Sequence, residues 1–369
     1  MQKVITHLIT GLGKGGAEAM LYQILKYRTD TNATHQVISF GASHYYEADI
    51  QKLGISIIEL PLRRRPISSL SQLLRLLRRT DTLCCWMYHA NFGGYPAAKL
   101  SKVPRIVWCI RHSNLDPTLN KKTTLFLNRI CARWSKHVDA IAYNGESARQ
   151  VHEAIGYASE KGCILDNGCD ISEYAPNSGA RADLCKILGI DCDNRIIFSA
   201  TKDAPIKDVP TFLRAFGLLH RARPQTVAVL CGIGIEPGNK HLEAVCTDAG
   251  LQIGKDVFFL GLRHDMPRLL AACDLYVLHS LGEAFPNVLL QAMSCGCLCI
   301  ATDVGDSRRI LADDDCILPP GNTGALAKKM EAMLMLPEED SQKRRIRNRE
   351  IVRERFDIQQ IVRQYEEIF

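Results

Sequence analysis

The chain has 369 residues, more than one hydrophobic core ordinarily serves, so two domains are expected. Apolar residues make up 46% and charged residues 23%, the balance of an ordinary soluble globular chain, and a net charge of +6 is too small to point to nucleic acid. No segment reaches the roughly 18 apolar residues of a membrane span, and Met1 to Gly16 lacks the apolar length and cleavage-like site of a secretory signal. The 15 cysteines therefore read as reduced thiols of a cytoplasmic protein, none of them in Cys-x-x-Cys spacing. Cys295, Cys297 and Cys299 alternate as small buried residues on one face of a strand would, with no histidine near enough in sequence to suggest a metal site.

In chain order, Val4 to Thr10 reads as a buried strand, Gly11 to Gly16 as a tight loop, and Ala17 to Tyr27 as a helix with Met20, Leu21, Ile24 and Leu25 at helical spacing. Further strands are expected at His35 to Phe40, Ile55 to Leu60, Leu83 to Tyr88, Val103 to Ile110 and Ala140 to Tyr143. After Asp166 the pattern restarts. Strands are expected at Arg195 to Ala200, Thr226 to Cys231, Val257 to Leu260, Leu275 to Leu278 and Cys297 to Ala301, with helices such as Val209 to Arg221 and Lys240 to Ala249 between them. Strand alternating with helix predicts an α/β fold with mainly parallel sheets covered on both faces. The stretch from Asn167 to Ala180, rich in Gly, Asn, Ser and Pro, marks the linker and gives domains 1–166 and 167–351. Residues 352–369, helical and amphipathic from Ile358 to Phe369, have no strand to serve and are expected to pack back on the first domain.

One segment is unusually basic. Arg63, Arg64 and Arg65 precede Pro66, and Arg75, Arg78 and Arg79 punctuate Leu70, Leu73, Leu74 and Leu77. This is a basic amphipathic helix. It reads either as a solvated surface helix or as one lying on an anionic membrane, which would make the protein peripheral on the inner membrane face.

Ligands of open parallel sheets bind beyond the carboxyl ends of the strands, so residues just after strands are the candidates. Gly11-Leu12-Gly13-Lys14-Gly15-Gly16 fits G-x-G-x-x-G between a strand and a helix, the pattern of a dinucleotide-dependent oxidoreductase. That reading needs an acid at the end of the second strand, and the nearest, Glu47, lies well past it. Gly15 and Gly16 read instead as permitting close approach of a phosphate or sugar.

The second half carries the stronger pattern. Lys202 and Lys207 follow one strand and suit a diphosphate, though two loop lysines are also commonly solvated. Gly232 lies in a second tight post-strand loop. Glu283 lies in a third, just before a helix beginning at Pro286 or Asn287, whose N–H groups and dipole would take phosphates while the carboxylate accepts sugar hydroxyls or caps the loop.

Together these segments resemble the retaining family 4 glycosyltransferases of the GT-B type, also described as glycosyl transferases group 1. Gly15 to Glu18 is similar to that family's first loop, Asp166 to Asp170 to its Asn-Gly-x-Asp segment, Lys202 to Lys207 to its Arg-x-x-Pro-x-Lys loop, and Glu283 to Ala292 to its Glu-x7-Glu element. The resemblance implies two Rossmann-like doubly wound domains facing a central cleft. It implies transfer, with retention, of a hexose or N-acetylhexosamine from a UDP-sugar, or alternatively GDP-mannose, to a glycan or lipid-linked acceptor in bacterial cell-surface polysaccharide or lipopolysaccharide synthesis. Lys202, Lys207, Gly232 and the turn Phe285, Pro286, Asn287, Val288 and Leu289 would hold the donor, with Glu283 on its sugar and His112 touching it from the first domain. His89 and Arg111 would face the acceptor. No cofactor or divalent metal is expected, the lysines and helix start standing in for one. Two positions depart from the family. Lys202 replaces the arginine and loses its fork. Gln291 replaces the second glutamate, which suggests altered ribose binding or, alternatively, a weakened binder of nucleotide-sugars.

Overall fold

The computed structural model describes residues 2–41, 44–62, 64–117 and 120–369; Arg63 of the basic segment lies outside them. The chain divides into two compact units, residues 1–168 with 358–369, and residues 169–357. The divisions fall two residues after the expected linker start and six residues after residue 351, so that 352–357 stay with the second unit.

The first unit runs β1 (Lys3–Ile9), α1 (Gly16–Tyr27), β2 (Ala33–Ser39), α2 (Glu47–Lys52), β3 (Ser56–Glu59), α3 (Pro66–Leu77), β4 (Thr82–Trp86), α4 (Met87–Ser101), β5 (Arg105–Ile110), α5 (Lys122–Trp134), β6 (Ala140–Tyr143), α6 (Glu146–Ala154) and β7 (Gly162–Ile164). Its sheet is parallel throughout, in the order β3-β2-β1-β4-β5-β6-β7. Successive residues feed opposite faces. Ile5, Ile9, Cys84, Trp86, Val107 and Cys109 join one core, and Leu8, Leu83, Cys85, Ile106 and Trp108 join the other.

The second unit runs α7 (Ala180–Leu188), β8 (Arg195–Ala200), α8 (Val209–Ala222), β9 (Thr226–Cys231), α9 (Lys240–Asp248), β10 (Val257–Phe259), α10 (Met266–Ala272), β11 (Leu275–Leu278), α11 (Asn287–Ser294), β12 (Leu298–Thr302), α12 (Ser307–Leu311), β13 (Ile317–Leu318), α13 (Thr323–Leu334) and α14 (Glu338–Arg355). Its parallel sheet has the order β10-β9-β8-β11-β12-β13. The strand order reverses between β1 and β4 in one unit and between β8 and β11 in the other, so each sheet has a switch point where ligands of doubly wound folds bind.

Register is pinned by an aspartate just before a strand, used three times. Asp81 accepts from Val4 N–H at 2.7 Å, Asp139 from Ile106 N–H at 2.7 Å, and Asp274 from Ile196 N–H at 2.8 Å. A charged acceptor at a strand start strengthens that bond and fixes which residues face each other.

The last helix, α15 (Ile358–Ile368), packs in the first unit. Ile358, Ile361, Val362 and Tyr365 enter its core, and Glu366 accepts the Thr29 and Asp30 N–H groups at 2.5 and 3.0 Å. Beneath it His7 Nε2 and His35 Nδ1 are 3.0 Å apart, and Trp86 donates to His7 Nδ1 at 3.3 Å.

Some local expectations change. The fourth strand stops at Trp86, because Met87 takes a left-handed φ of 69° and starts α4. α4 sits close on the sheet at Gly94, where a Cβ would fall 2.6 Å from Cys85 Sγ and from Leu8 Cδ2. Of Cys295, Cys297 and Cys299, only Cys299 lies in β12. All 15 cysteines are free, and burial pushes the Cys295 thiol up to about 12. β7 and β13, of three and two residues, are too short to show a period.

Candidate active site

In the second unit the loops after β8 and β11, neighbours at the switch point, meet. Lys207 ends a short 3₁₀ turn, Pro205–Lys207, and Asp208 then takes a left-handed φ of 50° to start α8. Lys207 Nζ lies 2.5 Å from Glu283 Oε1, with the two side chains 22% and 12% exposed. Ser280 Oγ donates to the same carboxylate oxygen at 2.7 Å. Leu281 N–H bonds Ile206 O at 2.8 Å, tying the loops by their backbones as well.

His279 sits beneath this pair. Burial first, then the Lys207 cation, lower its pKa to about 4, so the ring is neutral at ordinary pH. Its Nδ1 faces the Lys207 carbonyl at 2.7 Å and its Nε2 faces Ser199 Oγ at 2.9 Å. The carbonyl can only accept, so Nδ1 carries the proton and Nε2 accepts from the serine. The neutral ring fixes the backbone that presents Lys207.

Lys202 is exposed at the start of the same loop. Gly232 has φ +136°, and a Cβ there would run into the Thr201 carbonyl. Gly232 N–H bonds Gly261 O at 2.8 Å, and Asp203 N–H bonds Ile233 O at 2.8 Å, so the loops after β8, β9 and β10 form one framework. The glycine is required by that close approach.

α11 begins at Asn287 with its start beside Glu283 in the chain. Not every residue assigned to this turn can serve a ligand. Pro286 has no N–H, and the Leu289 N–H is spent on Pro286 O at 3.0 Å with its side chain in the core. Phe285 is buried, edge-on to Phe356 at 6.0 Å, with the Arg309 guanidinium 6.0 Å from its ring centroid. It anchors the loop. The Val288 N–H and the half-buried Asn287 and Gln291 side chains lie at the helix start and one turn in.

Sequence reasoning missed the supports. His279 and Ser280 stand directly between an expected strand and Glu283, which was a usable signal. Gly305, with φ +53°, follows β12, and a Cβ there would fall 2.5 Å from the Glu283 and Ala284 carbonyl oxygens. At the far end of α11, Arg345 donates to Gly296 O at 3.0 Å and Arg349 donates to Ser294 O. Guanidinium groups at the negative end of α11 hold the helix that aims its positive end at the site.

In the first unit, Gly15 is the N-cap of α1 and the exposed Gly16 its first residue. The Glu18 carboxylate folds back over Gly15, where a Cβ would collide with it, and burial raises its pKa. A carboxylate already at the helix start competes with an incoming phosphate. Glu47, the acid nearest the end of β2, faces His44 and lies 3.3 Å from Gln51 Nε2.

His112, after β5, has Nε2 3.3 Å from Asn120 Oδ1 and lies edge-on to Tyr88 at 6.5 Å. Tyr88 OH lies 2.7 Å from Nε2 of His152, which burial holds near pKa 4. His89 is exposed in the first turn of α4. Arg111 corrects the expectation of an acceptor contact. It is buried, donates to Asn167 Oδ1 and Tyr365 OH, and lies over the Trp86 and Tyr365 rings at 5.2 and 5.3 Å. Its charge joins α15 to the end of the first sheet. Among the described residues no three His, Cys, Asp or Glu side chains gather to hold a metal ion, and Asp313, Asp314 and Asp315 are taken up in pairs with Arg344, Arg308 and Lys329.

The family model for Glycosyltransferase Family 4 matches residues 14–173, and that for Glycosyl transferases group 1 matches residues 193–335. The chain belongs to the family 4 glycosyltransferases. EpsF of Bacillus subtilis (strain 168), named as a glycosyltransferase, is 25% identical over 309 residues, covering 82% of this chain and 79% of EpsF. The Escherichia coli UDP-Gal:alpha-D-GlcNAc-diphosphoundecaprenol alpha-1,3-galactosyltransferase is 26% identical over 68% of this chain and 65% of its own length. Among solved structures, Anabaena HepE in complex with UDP and glucose superposes with a TM-score of 0.85 at 22% identity, over 100% of this chain and 99% of HepE. The fold of this family 4 glycosyltransferase is accordingly GT-B.

Proposed function

We propose that the protein transfers a hexose or N-acetylhexosamine from a UDP-sugar to a glycan or lipid-linked glycan, with retention, in the building of a bacterial surface polysaccharide. The observation that carries this reading is the Lys207–Glu283 pair, held by Ser280 and His279 at the second sheet's switch point beside the start of α11. It sets a cation for phosphate and a carboxylate for sugar hydroxyls within one hydrogen bond of each other. The E. coli relative, named for a UDP-linked donor and a diphosphoundecaprenol-linked acceptor, and HepE, solved with UDP and glucose, support the donor and acceptor classes.

Lys207, Lys202 and the Val288 N–H would balance the charge that builds on the diphosphate as the C1–O bond breaks. Glu283 would orient the sugar through its hydroxyls. The acceptor oxygen would bond C1 on the face the diphosphate leaves, and its proton would pass to a departing phosphate oxygen. That route needs no protein nucleophile and no divalent metal, the lysines and helix start doing the neutralising. In the first unit, His112 and His89 are the candidates for sugar and acceptor contacts. Free thiols throughout suit a cytoplasmic location.

The test is a panel of UDP- and GDP-linked sugars incubated with the protein and a chelator, with nucleotide release measured. UDP release from at least one donor, lost in Glu283→Ala, is expected. Release only when a divalent metal is restored would overturn the metal-free reading. Tight UDP binding without turnover for any donor and acceptor would favour the weakened binder that Gln291 suggests.

A further inference from the structure

Helix α3 is bordered by cations that have no carboxylate partner among the described residues. Arg64, Arg65, Arg75, Arg78 and Arg79 are all exposed. Among the described residues none of the five has a salt bridge, and no acid occurs from Pro66 to Thr80. By contrast, Arg181, Arg263, Arg308 and Arg344 are each paired with a carboxylate. The helix is seated by Ser69, Leu73 and Leu77, which are buried, and by Ser101 Oγ donating to Leu74 O at 3.3 Å.

The outward side is not simply polar. Ile67 is 85% exposed and Leu70 45% exposed. They line a shallow cavity of about 360 Å³ with Ser71, Leu74, Arg75 and Arg78. These positions recur at three- and four-residue spacing, so they share one helical face, aliphatic at its start and cationic at its end. A solvated helix would place polar groups where Ile67 and Leu70 stand, and would neutralise its arginines along the face. Aliphatic side chains next to unpaired guanidinium groups on flexible stems fit an interface that is both anionic and apolar.

We propose that this face of α3 docks the first unit on an anionic phospholipid bilayer, with Ile67 and Leu70 at the acyl boundary and the arginines on lipid phosphates. The inference is independent of the transfer reaction. The full chain would be co-sedimented with vesicles of phosphatidylcholine alone and of phosphatidylcholine with phosphatidylglycerol, at low and high salt, with heparin as a soluble polyanion. Binding is expected only to the phosphatidylglycerol vesicles, weakening with salt. Arg75→Glu with Arg78→Glu and Arg79→Glu is expected to weaken it by about fivefold or more for each arginine changed. Ile67→Ser with Leu70→Ser is expected to weaken vesicle binding about tenfold and leave heparin binding unchanged. The altered side chains are exposed, so a normal melting curve checks that each variant folds. Equal binding to both vesicle types, or vesicle binding indifferent to the arginine changes, would overturn the proposal. So would vesicle binding indifferent to the Ile67 and Leu70 changes, which would make the face a site for a soluble acidic macromolecule. A failure of transfer with every donor would leave the vesicle result standing, so the two readings fall separately.

Discussion

Glu283→Gln is expected to bind a nucleoside diphosphate more tightly than the unchanged protein while transferring sugar more slowly. The two effects have opposite signs because Glu283 holds Lys207 and, in the proposed function, also orients the sugar. It holds Lys207 Nζ at 2.5 Å, in a pair that is mostly buried. A diphosphate can claim that ammonium only by drawing it from the carboxylate or sharing it. A charge-assisted hydrogen bond contributes about 1.5–3 kcal/mol, and the 22% exposure of Lys207 brings the attraction to about 1–2 kcal/mol through solvent screening. At about 1.4 kcal/mol per tenfold, freeing Lys207 tightens UDP binding about five- to thirtyfold. Glutamine keeps the shape and an acceptor for Ser280, so the loop is retained. It loses the charged acceptor for the sugar, and transfer falls about tenfold or more. Calorimetric titration with UDP measures the first effect, and uridine, which lacks phosphate, is the control and is expected to bind unchanged. Should UDP bind the variant no better than the parent while the variant melts normally, Lys207 either is not restrained by Glu283 or does not serve the phosphates.

Two other outcomes follow from the supports around this pair and from the buried histidines. Gly305→Ala places a methyl 2.5 Å from the carbonyls of Glu283 and Ala284 in a left-handed backbone, so the Glu283 loop must shift. Transfer is expected to fall at least about tenfold for a stability cost of about 1–3 kcal/mol, and unchanged turnover in this variant would remove Gly305 from the positioning frame. Burial holds His35, His152 and His279 near pKa 4 and His7 well below its usual value. The unfolded chain takes up these protons below about pH 6.5 and the folded chain does not. Stability is therefore complete above that pH and is lost as pH falls toward 4, by about 2 kcal/mol for each of His35, His152 and His279 at pH 5. A melting temperature that stays level between pH 7 and 5 would contradict this.

Long parallel strands and the helices between them were legible in the sequence because burial on both faces writes a near-continuous apolar run. Arg195–Ala200, Thr226–Cys231 and Ala140–Tyr143 have the expected bounds. The same signal overshot at Leu83 to Tyr88, since an apolar run does not say where Met87 turns left-handed into α4. Strand order was not legible at all. It is the order β9-β8-β11 that makes Lys207 and Glu283 neighbours, and no spacing between residues 207 and 283 contains it. Arg111 shows the opposite failure. An arginine after a strand is a reasonable phosphate ligand by position, but its partners Asn167 and Tyr365 are 56 and 254 residues away. Contacts at that distance override what the local sequence suggests.

Gln291 also takes a different weight once Lys207 and Glu283 are seen to be paired. Of the side chains proposed to meet the donor, Lys202 and Lys207 are cations and Glu283 an anion, a net charge of +1 among these three, while Asp203 of the loop after β8 is engaged by the Asn239 amide at 2.8 Å. A glutamate at 291, one turn into the helix whose start is proposed to serve the same ligand, would cancel that excess. Glutamine keeps an acceptor for a ribose hydroxyl and leaves the positive charge in place, which compensates for a lysine, without arginine's fork, at position 202. Gln291→Glu is then expected to strengthen uridine binding about three- to tenfold, since a carboxylate makes the stronger bond to a hydroxyl. It is expected to shrink the gain in affinity on going from UMP to UDP by a similar factor, because each added phosphate charge meets less positive potential. Calorimetry with uridine, UMP and UDP on both proteins reads the two changes separately. A Gln291→Glu protein whose UMP-to-UDP gain equals the parent's would mean that position 291 does not feel the phosphates, and the charge argument for glutamine would fail.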